Sequence, residues 1–194
     1  MAVEYELKYR ATAQLLQEID RSTAGPSCIY QMQTTYYDTA EGALSQRHYT
    51  LRCRQENDIC VCTLKAPAAG FGRGEWELAC DHIEAAIPEL CKLGAPADLV
   101  ALTAQGVIPI CGAKFTRIAK TITLPDCTVE LALDQGILTG GGREQPLCEV
   151  EVELKSGKPE TCLAFARQLA IAFDLQPENK SKFRRALALR RGEE

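Results

Sequence analysis

The chain is poor in histidine, with only His48 and His82, and it has one tryptophan and two methionines. It carries no Ser/His/Asp or Cys/His constellation at recognisable spacing, which leaves nucleophilic triad chemistry without support. No run approaches the roughly 20 apolar residues that a membrane helix needs. Met1–Arg10 is charged, so no signal peptide is expected. Lys and Arg number 22 against 26 Asp and Glu, a net charge of −4, and that balance opposes a broad nucleic-acid surface. Low-complexity tracts, internal repeats and interdomain linkers are missing too, which fits a single domain over residues 1–194. The ten cysteines are the exception to this scarcity. Without an export signal they read as free thiols in a reducing, cytoplasmic setting. A zinc site is disfavoured, because the tightest pair is Cys60 and Cys62 and no histidine lies near it.

Period-two alternation dominates what is there. It predicts strands at Ala2–Arg10, Ser27–Tyr37, Tyr49–Gln55, Ile59–Ala66, Arg73–Cys80, Gly112–Leu124, Thr128–Asp134 and Pro146–Lys155. Glu56-Asn57-Asp58 and Pro125-Asp126 read as tight hairpins, and Gly140, Gly141 and Gly142 precede the last strand. The stretch from Gly70 to Gly74 lacks a phosphate-loop pattern and reads as a hairpin loop. Helices are predicted at Thr12–Asp20 with a Thr N-cap, at Pro159–Phe173, and from about Asn179 to Arg190. The segment Ile83–Gln105 reads as short helices broken by Pro88 and Pro96.

The strands alternate strictly, and their polar faces are charged. Glu4, Glu6, Lys8 and Arg10 share one face of the first strand. Arg52 and Arg54 do so on the third, Thr63 and Lys65 on the fourth, and Arg73, Glu75 and Glu77 on the fifth. Glu130 and Asp134 follow, then Glu149, Glu151, Glu153 and Lys155. Arg117 falls on the charged parity of its strand, whereas Lys114 and Lys120 fall on the opposite parity unless a bulge shifts the register. Cys53, Cys60, Cys62, Cys80 and Cys148 sit with the apolar residues. Two geometries fit: an open sheet with its charges in solvent, or a closed barrel with its charges inside. Repeated Glu-x-Glu places like carboxylates about 7 Å apart, which is unfavourable without intervening cations.

Carboxylates without histidine or cysteine partners suit hard ions, Mg²⁺ or Mn²⁺. Arginine and lysine converging on the same space suit phosphate oxygens. A site with both suits a metal-bound polyphosphate. Aromatic residues make up 6% of the chain, and no inward aromatic cluster is expected to stack on a base.

At this point the sequence resembles a known family. Glu4-Tyr5-Glu6-Leu7-Lys8 is similar to the ExExK signature of CYTH domains, the triphosphate tunnel metalloenzymes. The resemblance continues through Arg52-Cys53-Arg54, Leu64-Lys65, Glu75-Trp76-Glu77, Lys114 to Arg117, Glu130 to Asp134, Cys148 to Leu154 and Ser181 to Arg185. It implies an α+β fold: a closed eight-stranded antiparallel β-barrel (tunnel) with a charged interior and helices packed outside. By position, Glu4, Glu6, Glu149 and Glu151, with Asp134 or Glu130, would bind Mg²⁺ or Mn²⁺. Lys8, Arg52, Arg54, Lys65, Arg117 and Lys182 would hold phosphates, with Arg73, Lys114 and Arg185 as further candidates. Lys182 would bring the last helix to one end of the tunnel. Lys8, Lys65 and Glu77 are the candidate catalytic side chains, and the base is either lysine, if its pKa is lowered, or a metal-bound water. The implied partner is a triphosphate-bearing small molecule, with no nucleic-acid duplex and no membrane, and a homodimer is allowed. Hydrolysis of inorganic triphosphate is the leading expectation, with class IV adenylate cyclase and a non-catalytic polyphosphate or nucleotide sensor as alternatives.

Overall fold

The computed structural model describes residues 5–67 and 73–193. The chain runs β1 (Glu6–Arg10), α1 (Ala13–Ser22), β2 (Ser27–Asp38), α2 (Ala43–Gln46), β3 (Thr50–Glu56), β4 (Ile59–Pro67) and β5 (Arg73–Ala79). It continues with α3 (Ile83–Lys92), α4 (Asp98–Leu102), β6 (Ile108–Thr123), β7 (Cys127–Gly140), β8 (Arg143–Gly157), α5 (Pro159–Ala172), β9 (Gln176–Pro177) and α6 (Lys182–Arg191). The eight expected strands are all present, and β6, β7 and β8 run longer than their periodicity suggested. Residues 68–72, where a hairpin loop was expected, lie outside the described residues, as does Glu4.

Local chemistry sets most boundaries. Thr12 caps α1 by accepting the Leu15 N–H at 3.2 Å, and Ser181 caps α6 by accepting the Arg184 N–H at 3.2 Å. Pro159 opens α5, where a missing N–H costs nothing. Gly140 pairs with Arg143 around Gly141 and Gly142, whose φ values of 59° and 73° make the two-residue turn that strand twist favours. Pro88 is a correction: it sits inside α3 rather than ending it. Burial of Ile83, Ala86, Ile87 and Leu90 holds the helix despite the lost hydrogen bond.

Strand order is β5-β4-β3-β2-β6-β7-β8-β1-β9, every pairing antiparallel. This corrects the expected closed eight-stranded barrel: the sheet has nine strands and stays open, with no ladder between β5 and β1 among the described residues. The physical reason lies at the outer edge of β1. There Tyr9 and Arg10 pair with Pro177 and Gln176, and the Glu178 N–H donates to the Lys8 carbonyl at 2.8 Å. That edge is therefore taken by the chain leaving α5.

The apolar stripes pack outward. Leu16 and Ile19 of α1 and Cys162, Ala166 and Leu169 of α5 meet Val129, Leu131, Val150 and Val152. Leu44, Ile87, Leu90 and Leu99 cover Leu51, Cys62 and Leu64 on the other half. The cysteine parity holds: Cys53, Cys62 and Cys80 belong to this second outer core and Cys148 packs on the first. Helix α6 instead lies over the inner face, where Ala186 meets Met32, Tyr36, Phe115 and Leu138. It rests on the backbone of Gly140, where a Cβ would stand 2.8 Å from the Arg190 nitrogen.

Candidate active site

The inner face of the curved sheet encloses a cavity of about 640 Å³. Its walls are the charged stripes. Arg52 and Arg54 of β3, Lys65 of β4 and Arg73 of β5 form a cationic side, with Glu75 and Glu77 beside them. Glu6 and Lys8 of β1, Glu130 of β7 and Glu151 and Glu153 of β8 form a mostly acidic side. Arg117 of β6 and Lys182 of α6 stand between. Each stripe faces inward because its alternate residues, one position away, fill the helix-covered cores.

On the cationic side, Lys65 Nζ pairs with Glu75 at 3.2 Å and Arg52 reaches the same carboxylate at 3.6 Å. Arg54 pairs with Glu56, yet the Nε atoms of Arg52 and Arg54 and the hydroxyl of Thr63 are buried without an acceptor or donor among the described residues. Burial and the neighbouring Arg52 charge lower the Arg54 pKa. Cationic donors with spare N–H groups fit an anionic ligand, since an unmet buried donor costs about 1–3 kcal/mol. Arg73 donates to the His48 and Lys65 carbonyls at 2.8 and 3.0 Å, so it also ties the edge strands together.

Beneath the acidic side lies a compact charge network. Asp134, Glu149 and Glu151 have carboxylate oxygens within 4.8 Å of one another, a spacing that suits a metal ion. Lys182 Nζ stands among them, 2.8, 2.5 and 2.6 Å away. Arg117 forks onto Asp134 with two bonds of 2.7 Å and also reaches Glu151, while Arg185 pairs with Glu149 and Glu178. Asp134 and Glu149 are 0% exposed and do not line the cavity. Burial pushes the Glu149 carboxyl up to about 7. Burial acts in the same sense on Glu151, but Lys182 and Arg117 overcome it and hold Glu151 well below the usual carboxylate range.

The placements of the expected site residues therefore divide. Glu6, Glu130, Glu151, Lys8, Arg52, Arg54, Lys65, Arg73, Glu77, Arg117 and Lys182 come together at the cavity. Asp134, Glu149 and Arg185 lie behind it. Lys114 is exposed on the outer side of β6, a correction to its phosphate-binding assignment. The β6–β7 ladder keeps one register throughout, and the shift in the β2–β6 pairing falls near Ile110, too early to turn Lys114 inward. Lys120 is outward as well, bound to the Thr23 carbonyl at 2.8 Å and Asp20 at 2.7 Å, where a cation suits the end of α1.

Lys8, one of the two lysines expected as a base, pairs with Glu6 at 3.1 Å. Burial works to lower its pKa, but Glu6, Glu151 and Glu149 outweigh that and raise it. Glu153 was left out of the expected metal ligands although it shares the Glu149–Glu151 stripe. It stands opposite Glu6 in the β1–β8 register and lines the cavity. Tyr30, Met32, Tyr36, Phe115 and Phe183 also line it, which overturns the expectation of no inward aromatic cluster. The Tyr36 and Phe183 rings are 5.0 Å apart. Their signal was faint in the sequence because β2 carries no charged stripe and Phe183 arrives from a helix.

A family model described as CYTH domain matches residues 2–187. The chain belongs to the CYTH domain family. The chain is similar to the inorganic triphosphatase of Haemophilus influenzae, 29% identical over 97% of this chain and 55% of that protein. The chain thus spans about half of that relative's length. Among solved structures, a Hippeastrum protein described as an adenylyl cyclase candidate with a dominant triphosphatase activity superposes with a TM-score of 0.66 at 18% identity, covering 98% of this chain and 97% of that one. An adenylate cyclase candidate from Bacillus halodurans superposes with a TM-score of 0.63 at 20% identity, covering 94% and 96%. At these identities the structural likeness shows a shared fold alone.

Proposed function

We propose that this CYTH chain is a divalent-metal-dependent triphosphatase whose substrate is inorganic triphosphate, cleaved to diphosphate and phosphate. One observation carries the reading: a single cavity joins a cationic wall with unmet arginine donors to an acidic wall of hard oxygen ligands. Anion binding alone would need only the first. The match to an inorganic triphosphatase supports the same activity.

Glu6, Glu153, Glu151 and Glu130 would hold Mg²⁺ or Mn²⁺, with Glu4 as the remaining candidate ligand. The donor set fits, being carboxylate oxygens alone, and the ion would supply charge neutralisation and activation of water. Asp134 and Glu149, close enough to Glu151 to share an ion with it, are further candidate ligands and also serve as counter-charges to Arg117, Lys182 and Arg185. Arg52, Arg54, Lys65 and Arg73 bind the phosphate chain and stabilise charge on the leaving diphosphate. Lys8, as a cation, neutralises rather than abstracts. Lys65 and Glu77 are left as the side chains placed to handle a proton.

The aromatic lining favours a second reading, an organic triphosphate with its base against Tyr30 and Phe183, and hence the adenylate cyclase reaction. Incubating purified protein with tripolyphosphate, ATP and thiamine triphosphate plus Mg²⁺ or Mn²⁺ separates the two. Phosphate and diphosphate from tripolyphosphate are expected. Cyclic AMP with diphosphate from ATP would replace the first reading with the second, and no product from any substrate would leave a sensor. Glu6→Gln should retain less than about a tenth of the activity, a loss of roughly 1.4 kcal/mol or more in barrier.

A further inference from the structure

The side of the β3–β4–β5 edge turned away from the cavity carries sulfur. Cys53 of β3, Cys60 and Cys62 of β4, and Cys80 just past β5 share it. Cys53 stands opposite Cys62 in the β3–β4 register, and the Cys80 N–H donates to the Cys60 carbonyl at 3.0 Å. All four are free thiols. Within this patch, Cys53 Sγ and Cys60 Sγ lie 2.7 Å apart. Cys62 donates to the Cys80 carbonyl at 3.2 Å while also meeting the Cys53 thiol, and Cys80 donates to the His82 carbonyl at 3.3 Å. Neither Cys53 nor Cys60 is fully buried.

We infer that Cys53 and Cys60 form an oxidation site, a dithiol that a peroxide-class oxidant converts into an intramolecular disulfide across the β3–β4 hairpin. Cys53 packs against the core beneath α3, whereas Cys60 lies outside that cluster, so Cys60 meets the oxidant first. Its sulfur attacks one peroxide oxygen, the O–O bond breaks, and the departing hydroxide takes the thiol proton as water, leaving a sulfenic acid. Cys53 sulfur then displaces hydroxide from Cys60 sulfur, and the Cys53 proton leaves with it as a second water. Two thiols and one hydrogen peroxide give one disulfide and two waters.

Burial pushes the Cys53 thiol up to about 11 and the Cys60 thiol up to about 12, so both are protonated near neutral pH. The first step is therefore slow, since the thiolate is the nucleophile. The second is intramolecular between neighbouring atoms and outruns further oxidation to sulfinic acid. Cys28, exposed on β2, supplies an internal reference for thiol oxidation.

The experiment is peptide mapping of the reduced, folded protein after hydrogen peroxide treatment and alkylation under denaturing conditions. A Cys53–Cys60 linked peptide is expected, with two of the ten thiols lost to it and recovered by dithiothreitol. Cys53→Ser should abolish the link and leave Cys60 trappable by dimedone. An intact Cys53 and Cys60 under conditions that oxidise Cys28 would overturn the inference, as would a first link through Cys62, Cys80 or a second molecule. The wild-type map decides the matter if the variant fails to fold, and it does not depend on triphosphatase activity.

Discussion

Arg54 shows how one residue joins fold to chemistry. Its position on β3 places the guanidinium in the cavity while Cys53, one step away, faces the outer core. A charge-assisted hydrogen bond to phosphate is worth about 1.5–3 kcal/mol, so Arg54→Ala should lower kcat/KM for tripolyphosphate by roughly 10- to 150-fold. Thermal stability should change little by comparison, which steady-state kinetics beside a melting curve will check. The parity of Arg54, and of Glu6, Arg117 and Glu151, was legible in the sequence because side chains in a strand alternate without exception unless a bulge intervenes. Lys114 was legible by the same rule and failed only where the family resemblance overrode it. The raised pKa of Lys8 was legible only in part, because Glu6 lies two residues away on the same strand but Glu151 and Glu149 reach it from another.

At the scale of the element, α6 is the clearest case of a helix placed by charge. Its sequence gives a cap at Ser181 and a basic first turn, but not the target of those cations. Lys182 neutralises three carboxylates that nothing else covers fully, and removing one partner of a buried pair typically costs about 3–5 kcal/mol. Lys182→Ala should therefore lower the melting temperature by roughly 6–20 °C for a domain of this size. Glu178 anchors the same helix from the β1 side, accepting from Arg10 and the Lys180 N–H at 2.8 Å each and pairing with Arg185. Burial opposes its charge, but these donors prevail and hold its pKa below the ordinary 4.5. Its contribution is full above that value and is lost as pH falls below it. Acid titration of unfolding should show Glu178→Gln with a shallower loss of stability below pH 4.5 than the wild type.

For the whole molecule, the acidic network carries its own counter-ions. Lys182, Arg117 and Arg185 compensate Asp134, Glu149 and Glu151, so the fold does not wait for a metal. Chelation with EDTA should abolish hydrolysis while leaving circular dichroism and the melting temperature essentially unchanged. A fall of more than about 10 °C would mean that the metal is part of the fold rather than of the site. The sequence by itself determined the strands, their inward and outward faces and the ionic character of the inner one, because period-two alternation and hairpin chemistry act over a few residues. Only the tertiary structure decided that the sheet stays open, since β9 must return from α5 to occupy the edge of β1. It also decided which acids face the cavity and which are spent on lysine and arginine, because that choice is made by side chains meeting across strands distant in the chain.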